Sequence, residues 1–136
     1  LDIVLDDGGH TMEQQITSLI SLFPILNDSG TYLCEDTHTS YFATHGGGLK
    51  NSATFLEAIK EMIDEMHAWY HAPLGKIDDS YIANHLYSIA VYDSIVVLEK
   101  RRKNAPLVLA RGHEGHIKNP PAMSYIEMRR AFGVAD

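Results

Sequence analysis

Leu1-Asp2-Ile3-Val4-Leu5-Asp6-Asp7-Gly8-Gly9-His10-Thr11-Met12-Glu13-Gln14-Gln15 opens the chain, and three signals meet in it. An aliphatic run of strand length stops at Asp7-Gly8-Gly9. Thr11 and Gln14 then have capping-box spacing. Met12, Ile16, Leu19, Ile20 and Phe23 recur at helical intervals until Pro24. The stretch reads as a strand over residues 1–6 that feeds a helix. Asn27-Asp28-Ser29-Gly30 turns the chain into a second aliphatic strand, Thr31 to Glu35, stopped by Asp36-Thr37-His38. Strand, helix and strand in this order predict a right-handed parallel crossover.

Beyond it, residues 37–52 read as a long loop holding Gly46-Gly47-Gly48, and a loop of that length is expected to be functional or mobile. Thr54 and Glu57 start a second helix that runs to about residue 70, with an apolar stripe from Phe55 to Trp69. Residues 71–81 read as loop. Asn84 to Tyr92 and Ile95 to Glu99 are strands joined by Asp93-Ser94, which demands an antiparallel hairpin. Residues 101–121 are irregular, and Ser124 with Glu127 begins a short last helix. The expected fold is α/β, β-α-β-α-β-β, with parallel strands and a terminal antiparallel hairpin.

A length of 136 residues fits one domain, and 45% apolar with 21% charged residues is ordinary globular composition. The net charge of −7 is uneven: residues 1–99 carry 3 basic and 15 acidic side chains, residues 100–136 carry 8 and 3. That balance argues against a nucleic-acid binder. The basic tail reads as a solvated segment or one lying on the acidic body. No run approaches the about 18 to 20 apolar residues of a membrane span, so no membrane partner is expected. A lone cysteine, Cys34, excludes an intrachain disulfide framework and fits a reducing compartment; a cytoplasmic location is expected. The chain starts inside a strand and without Met, so the sequence is expected to be part of something longer.

Ligands of open α/β sheets bind at the carboxyl ends of the strands. Asp6-Asp7-Gly8-Gly9-His10 follows the first strand and Glu35-Asp36-Thr37-His38 the second. Neighbouring strands would pool these carboxylates, which repel unless a positive charge sits among them. A hard divalent cation, magnesium above all, is the simplest answer, with open positions for a substrate's hydroxyl oxygens. His10 is placed to accept a proton from such a hydroxyl. This requires Asp7 to lie near Glu35 and Asp36 in the fold. Other candidates are weaker. His113-Glu114-Gly115-His116 has the wrong spacing for a zinc helix. His38 and His45 lie in the long loop and could line the site, though they read better as solvated loop histidines; His67 and His71 read as partners of a helix end, and Cys34 as a small core residue.

At these two clusters the sequence resembles the metal-dependent class I methyltransferases, macrolide-sugar O-methyltransferase type (mycinamicin- and macrocin-like). The resemblance rests on Asp6-Asp7-Gly8-Gly9-His10-Thr11-Met12-Glu13-Gln14-Gln15, Leu22-Phe23-Pro24, Gly30-Thr31-Tyr32 and Glu35-Asp36-Thr37-His38-Thr39-Ser40-Tyr41, and extends over roughly residues 1–100. It implies a Rossmann-like sheet of which this chain is the C-terminal half, its strands being the fourth, fifth, sixth and seventh of seven. It implies Mg2+ and S-adenosylmethionine as cofactors and a sugar or glycoside hydroxyl as acceptor. Asp7, Glu35 and Asp36 match the metal-binding carboxylates, and His10 the general base. Relatives often carry Ser at the position of Gly9 and His at that of Gln14. No Gly-x-Gly-x-x-Gly occurs, so residues for the S-adenosylmethionine itself stay unassigned. Residues 101–136 are expected to be a basic tail. An isolated half-sheet leaves an apolar edge open, which predicts a homo-oligomer or a missing segment. The alternative function is a non-catalytic half-domain that serves as an assembly module; a related metal site with other chemistry is a third.

Overall fold

Ile3–Asp6 forms β1 and Thr31–Cys34 forms β2, paired in parallel with Ile3 opposite Thr31 and Asp6 opposite Cys34. The computed structural model describes residues 1–71, 80–107 and 124–132. The crossover between the two strands is α1, Met12–Leu22. Thr11 Oγ1 accepts from the Gln14 N–H at 3.3 Å, and Gln14 Oε1 accepts from the Thr11 N–H at 3.2 Å, which closes the expected capping box. Gly9 makes room for it. A Cβ there would stand 2.2 Å from Gln14 Cδ, so Ser at 9 and this Gln14 rotamer exclude each other.

Leu86–Tyr92 forms β3 and Ile95–Lys100 forms β4, the expected hairpin, with Ser94 at φ 66° in its turn. The sheet order is β1-β2-β4-β3, so the last strand lies between β2 and β3 and runs antiparallel to both. The third strand starts at Leu86 rather than Asn84, because residues Tyr81–His85 form a short helix, α3. Ser80 Oγ caps it by accepting from the Ala83 N–H at 3.1 Å.

The second helix, α2, spans Phe55–Met66 and stops short of the expected residue 70. A 3-10 turn follows over Ala68–Tyr70, from which Trp69 Nε1 donates to the Ala83 carbonyl at 3.2 Å. The long segment after β2 contains two 3-10 turns, Thr37–Tyr41 and Ala43–His45, with Thr37, Thr39 and Ser40 buried. Ser40 Oγ accepts from the Leu56 N–H at 3.3 Å, which ties this segment to α2. Gly47 passes so close that a Cβ would meet the Ser40 and Thr39 carbonyl oxygens at 2.6 Å. Gly47 therefore serves close packing, while Gly46 takes the left-handed turn at φ 79°.

One sheet face carries the cross-strand row Val4, Tyr32, Leu98 and Ile89, which packs with Leu19 and Phe23 of α1 and Phe55 and Ile59 of α2. The opposite row is Leu5, Leu33, Val97 and Ala90. There Leu5 is 62% exposed, and Ile3 on the same face is 72% exposed. Buried Lys100 donates from Nζ to the carbonyls of Pro24 at 2.8 Å and Leu26 at 2.6 Å, which satisfies two acceptors in the segment that follows α1.

The chain divides into two compact units, Leu1–Pro106 and Leu107–Asp136. In the second, α4 spans Tyr125–Ala131 with a Ser124/Glu127 capping box and Arg129 and Arg130 in its last turn. That charge order suits the helix dipole, and the two hydrogen bonds from Ser124 hold the Glu127 carboxyl below its ordinary pKa. His113 and His116 lie outside the described residues. Among the described residues, no helix is long and apolar enough to cross a membrane.

Candidate metal centre

The parallel register sets the tips of β1 and β2 level, and the Glu35 N–H donates to the Asp6 carbonyl at 3.0 Å. Asp6 turns to the core side. Its carboxylate accepts from the Tyr32 hydroxyl and from the Gly8 N–H. Asp7 is exposed and has no such commitment. Across from it, Asp36 sits in the left-handed region at φ 52°, with its carbonyl accepting from the Thr39 N–H at 3.1 Å and from Thr39 Oγ1 at 2.8 Å.

His10 stands just before the Thr11 cap, and its Nε2 is 3.5 Å from Asp36 Oδ2. Asp7, His10 and Asp36 each offer one ligand atom, and the three atoms lie within 4.8 Å of one another. Among the described residues they are the group that can converge on a cation. The Glu35 carboxylate lies outside the group. Two acidic oxygens, from exposed Asp7 and half-buried Asp36, with an imidazole nitrogen beside them, suit a divalent cation that keeps some of its water. No Lys or Arg pairs with Asp7 or Asp36 among the described ion pairs, so the donor set fits such an ion.

Two supports were not assigned from the sequence. Gln15 is 1% exposed, and its Nε2 donates to the Glu35 carbonyl at 3.1 Å, while its Oε1 has no hydrogen-bond partner. The available signal was a polar residue on the apolar face of α1, between Met12 and Leu19. His38 Nδ1 lies 3.9 Å from Asp36 Oδ1 and 2.6 Å from Ser94 Oγ. His45 packs on Phe42 instead, with ring centroids 6.0 Å apart.

Burial pushes the Cys34 thiol up to about 12, helped by the Asp6 charge. Burial likewise raises the Tyr32 phenol, as does its bond to Asp6. Each group keeps its proton in the fold at pH values where the unfolded chain loses it. Their contribution is thus complete below the ordinary thiol pKa of 9.0 and is lost as pH rises beyond it. Stability is expected to fall by up to about 1.4 kcal/mol per pH unit for each group, above pH 9.0 for the thiol and above pH 10.0 for the phenol, and the thermal midpoint falls with it. Cys34→Ala with Tyr32→Phe should flatten that limb in melts from pH 8 to 10.5; an unchanged limb refutes the assignment.

No family model matches the chain. It is 35% identical over 107 residues to an L-olivosyl-oleandolide 3-O-methyltransferase of Streptomyces antibioticus, covering 76% of this chain and 28% of that protein. It is 30% identical over 106 residues to a mycinamicin VI 2''-O-methyltransferase of Micromonospora griseorubida, covering 76% of this chain and 27% of that protein. Among solved structures, a methyltransferase of the mycinamycin biosynthetic pathway in complex with Mg and SAH matches with a TM-score of 0.71 and 25% identity. That match covers 96% of this chain and 33% of the other. In sequence and in fold the chain is similar to these O-methyltransferases, and it spans between a quarter and a third of the length of the proteins it matches.

Proposed function

We propose that this chain carries the metal and base portion of a magnesium-dependent O-methyltransferase that moves the methyl of S-adenosylmethionine to a hydroxyl of a sugar or glycosylated natural product. The observation that carries the reading is the convergence of Asp7, His10 and Asp36 at two neighbouring strand tips. Asp7 and Asp36 hold the cation, with Glu35 beside them on the same strand tip. The bound ion supplies positive charge that lowers the pKa of an acceptor hydroxyl. His10 Nε2 is the group that takes the proton of the acceptor hydroxyl, and S-adenosylmethionine, when bound, would supply the electrophilic methyl group. Asp36, 3.5 Å from that nitrogen, stabilises the imidazolium that forms. Orientation of the acceptor against the methyl group contributes through proximity.

In this reading residues 1–100 are the C-terminal half of the catalytic domain and residues 101–136 a basic tail. A homo-oligomer belongs to it as well, since the outer edge of β1 has no strand partner among the described residues and Ile3 and Leu5 are exposed beside it. Sedimentation at micromolar concentration reads this directly, and a monomer rejects it.

The deciding experiment combines Mn2+ binding, followed by electron paramagnetic resonance, with methyl transfer to a glycoside panel. Saturable Mn2+ binding together with metal-dependent transfer supports the reading. Mn2+ binding without transfer, with S-adenosylmethionine present, leaves the metal centre standing and rejects methyl transfer by this chain alone. Absence of Mn2+ binding rejects the metal centre.

A further inference from the structure

We infer that Ser94, in the β3–β4 turn, is a positioning residue for the cation site and acts through His38. The inference rests on the metal centre proposed above. Ser94 holds the segment that follows Asp36 at two points. Its hydroxyl lies 2.6 Å from His38 Nδ1, and its carbonyl accepts from the Thr37 N–H at 3.1 Å. The same His38 nitrogen lies 3.9 Å from Asp36 Oδ1, while His10 Nε2 lies 3.5 Å from Asp36 Oδ2. The Asp36 carboxylate is thus set between two imidazoles, one from each side.

The backbone makes this placement conditional. Asp36 and Ser94 are both non-glycine residues in the left-handed region, at φ 52° and 66°. Such conformations persist where the surroundings over-determine them. At Asp36 the surroundings are Thr39, which binds its carbonyl, and the Ser94 clamp on the next two residues. Edge-on packing against Phe42, with centroids 5.2 Å apart, further limits the His38 ring. With the ring fixed, the side of Asp36 facing away from His10 is occupied, and Oδ2 is left to the site. Partners of metal ligands that set ligand orientation typically govern affinity by about 10- to 100-fold.

Ser94→Gly is the informative variant. Glycine adopts the left-handed turn without a steric penalty, so the fold survives while the hydroxyl is removed. Mn2+ affinity of the intact protein, read by electron paramagnetic resonance, should fall about 10-fold or more. The melting midpoint of the metal-free protein should stay equal or rise. His38→Ala should weaken Mn2+ binding comparably. The double variant should bind about as His38→Ala alone does, because residues acting as one unit are not additive. Unchanged Mn2+ affinity in Ser94→Gly overturns the inference, as does an additive double variant. Wild-type protein that binds no Mn2+ overturns the metal centre itself, and this role of Ser94 with it.

Discussion

Under the proposed function, replacing His10 by Ala in the full-length enzyme is expected to lower methyl transfer by about 10²- to 10⁴-fold, the usual weight of a positioned general base, while Mn2+ still binds. Replacing Asp36 by Ala should remove both. The contrast follows from the geometry. Asp36 faces both histidines and offers an oxygen to the shared point, so its loss removes one of the two carboxylates that converge there. His10 lies beside the same point, and a water can fill the space its ring leaves next to a hard cation. Titrating Mn2+ into both variants and timing single turnovers separates the roles. If His10→Ala loses the ion as completely as Asp36→Ala, His10 is a ligand and the base lies elsewhere.

The second large effect concerns the sheet. Leu98→Ala should cost about 2–5 kcal/mol. Leu98 is fully buried, in the central strand β4, between Tyr32 on one side and Ile89 on the other. Rigid strand partners cannot collapse into the space its side chain leaves. Set against total stabilities of about 5–15 kcal/mol, that loss should move the urea midpoint by a large fraction of its value. Leu5→Ala is the control. It lies on the other sheet face at 62% exposure, and exposed substitutions usually stay within about 0.5 kcal/mol. A Leu5→Ala cost approaching that of Leu98→Ala would show that a strand or helix covers that face in solution.

Local chemistry made much of this protein legible. The α1 capping box depends on residues three apart, so Thr11 and Gln14 announce it. A two-residue connection compels a hairpin, so Asp93-Ser94 settles how β3 and β4 pair. Aliphatic strands around a capped helix imply the parallel crossover of β1 and β2. The level of the strand tips follows, and with it the pooling of Asp6 and Asp7 with Glu35 and Asp36 beside His10, while the choice of Asp7 is what the family resemblance implied.

What lay beyond local pattern needed contacts between distant residues. Asp6 and Asp7 are equivalent in the sequence; the Tyr32 hydroxyl, 26 residues away, occupies one of them. His38 reads as a solvated loop residue until the hairpin turn brings Ser94 to it across 56 positions. The insertion of β4 between β2 and β3 likewise has no local signal, since the hairpin can dock by either strand. Capping, turn and periodicity are short-range physics, which a linear string records. The choice among equivalent carboxylates and histidines is made by long-range packing and hydrogen bonding, which only the folded chain brings into being.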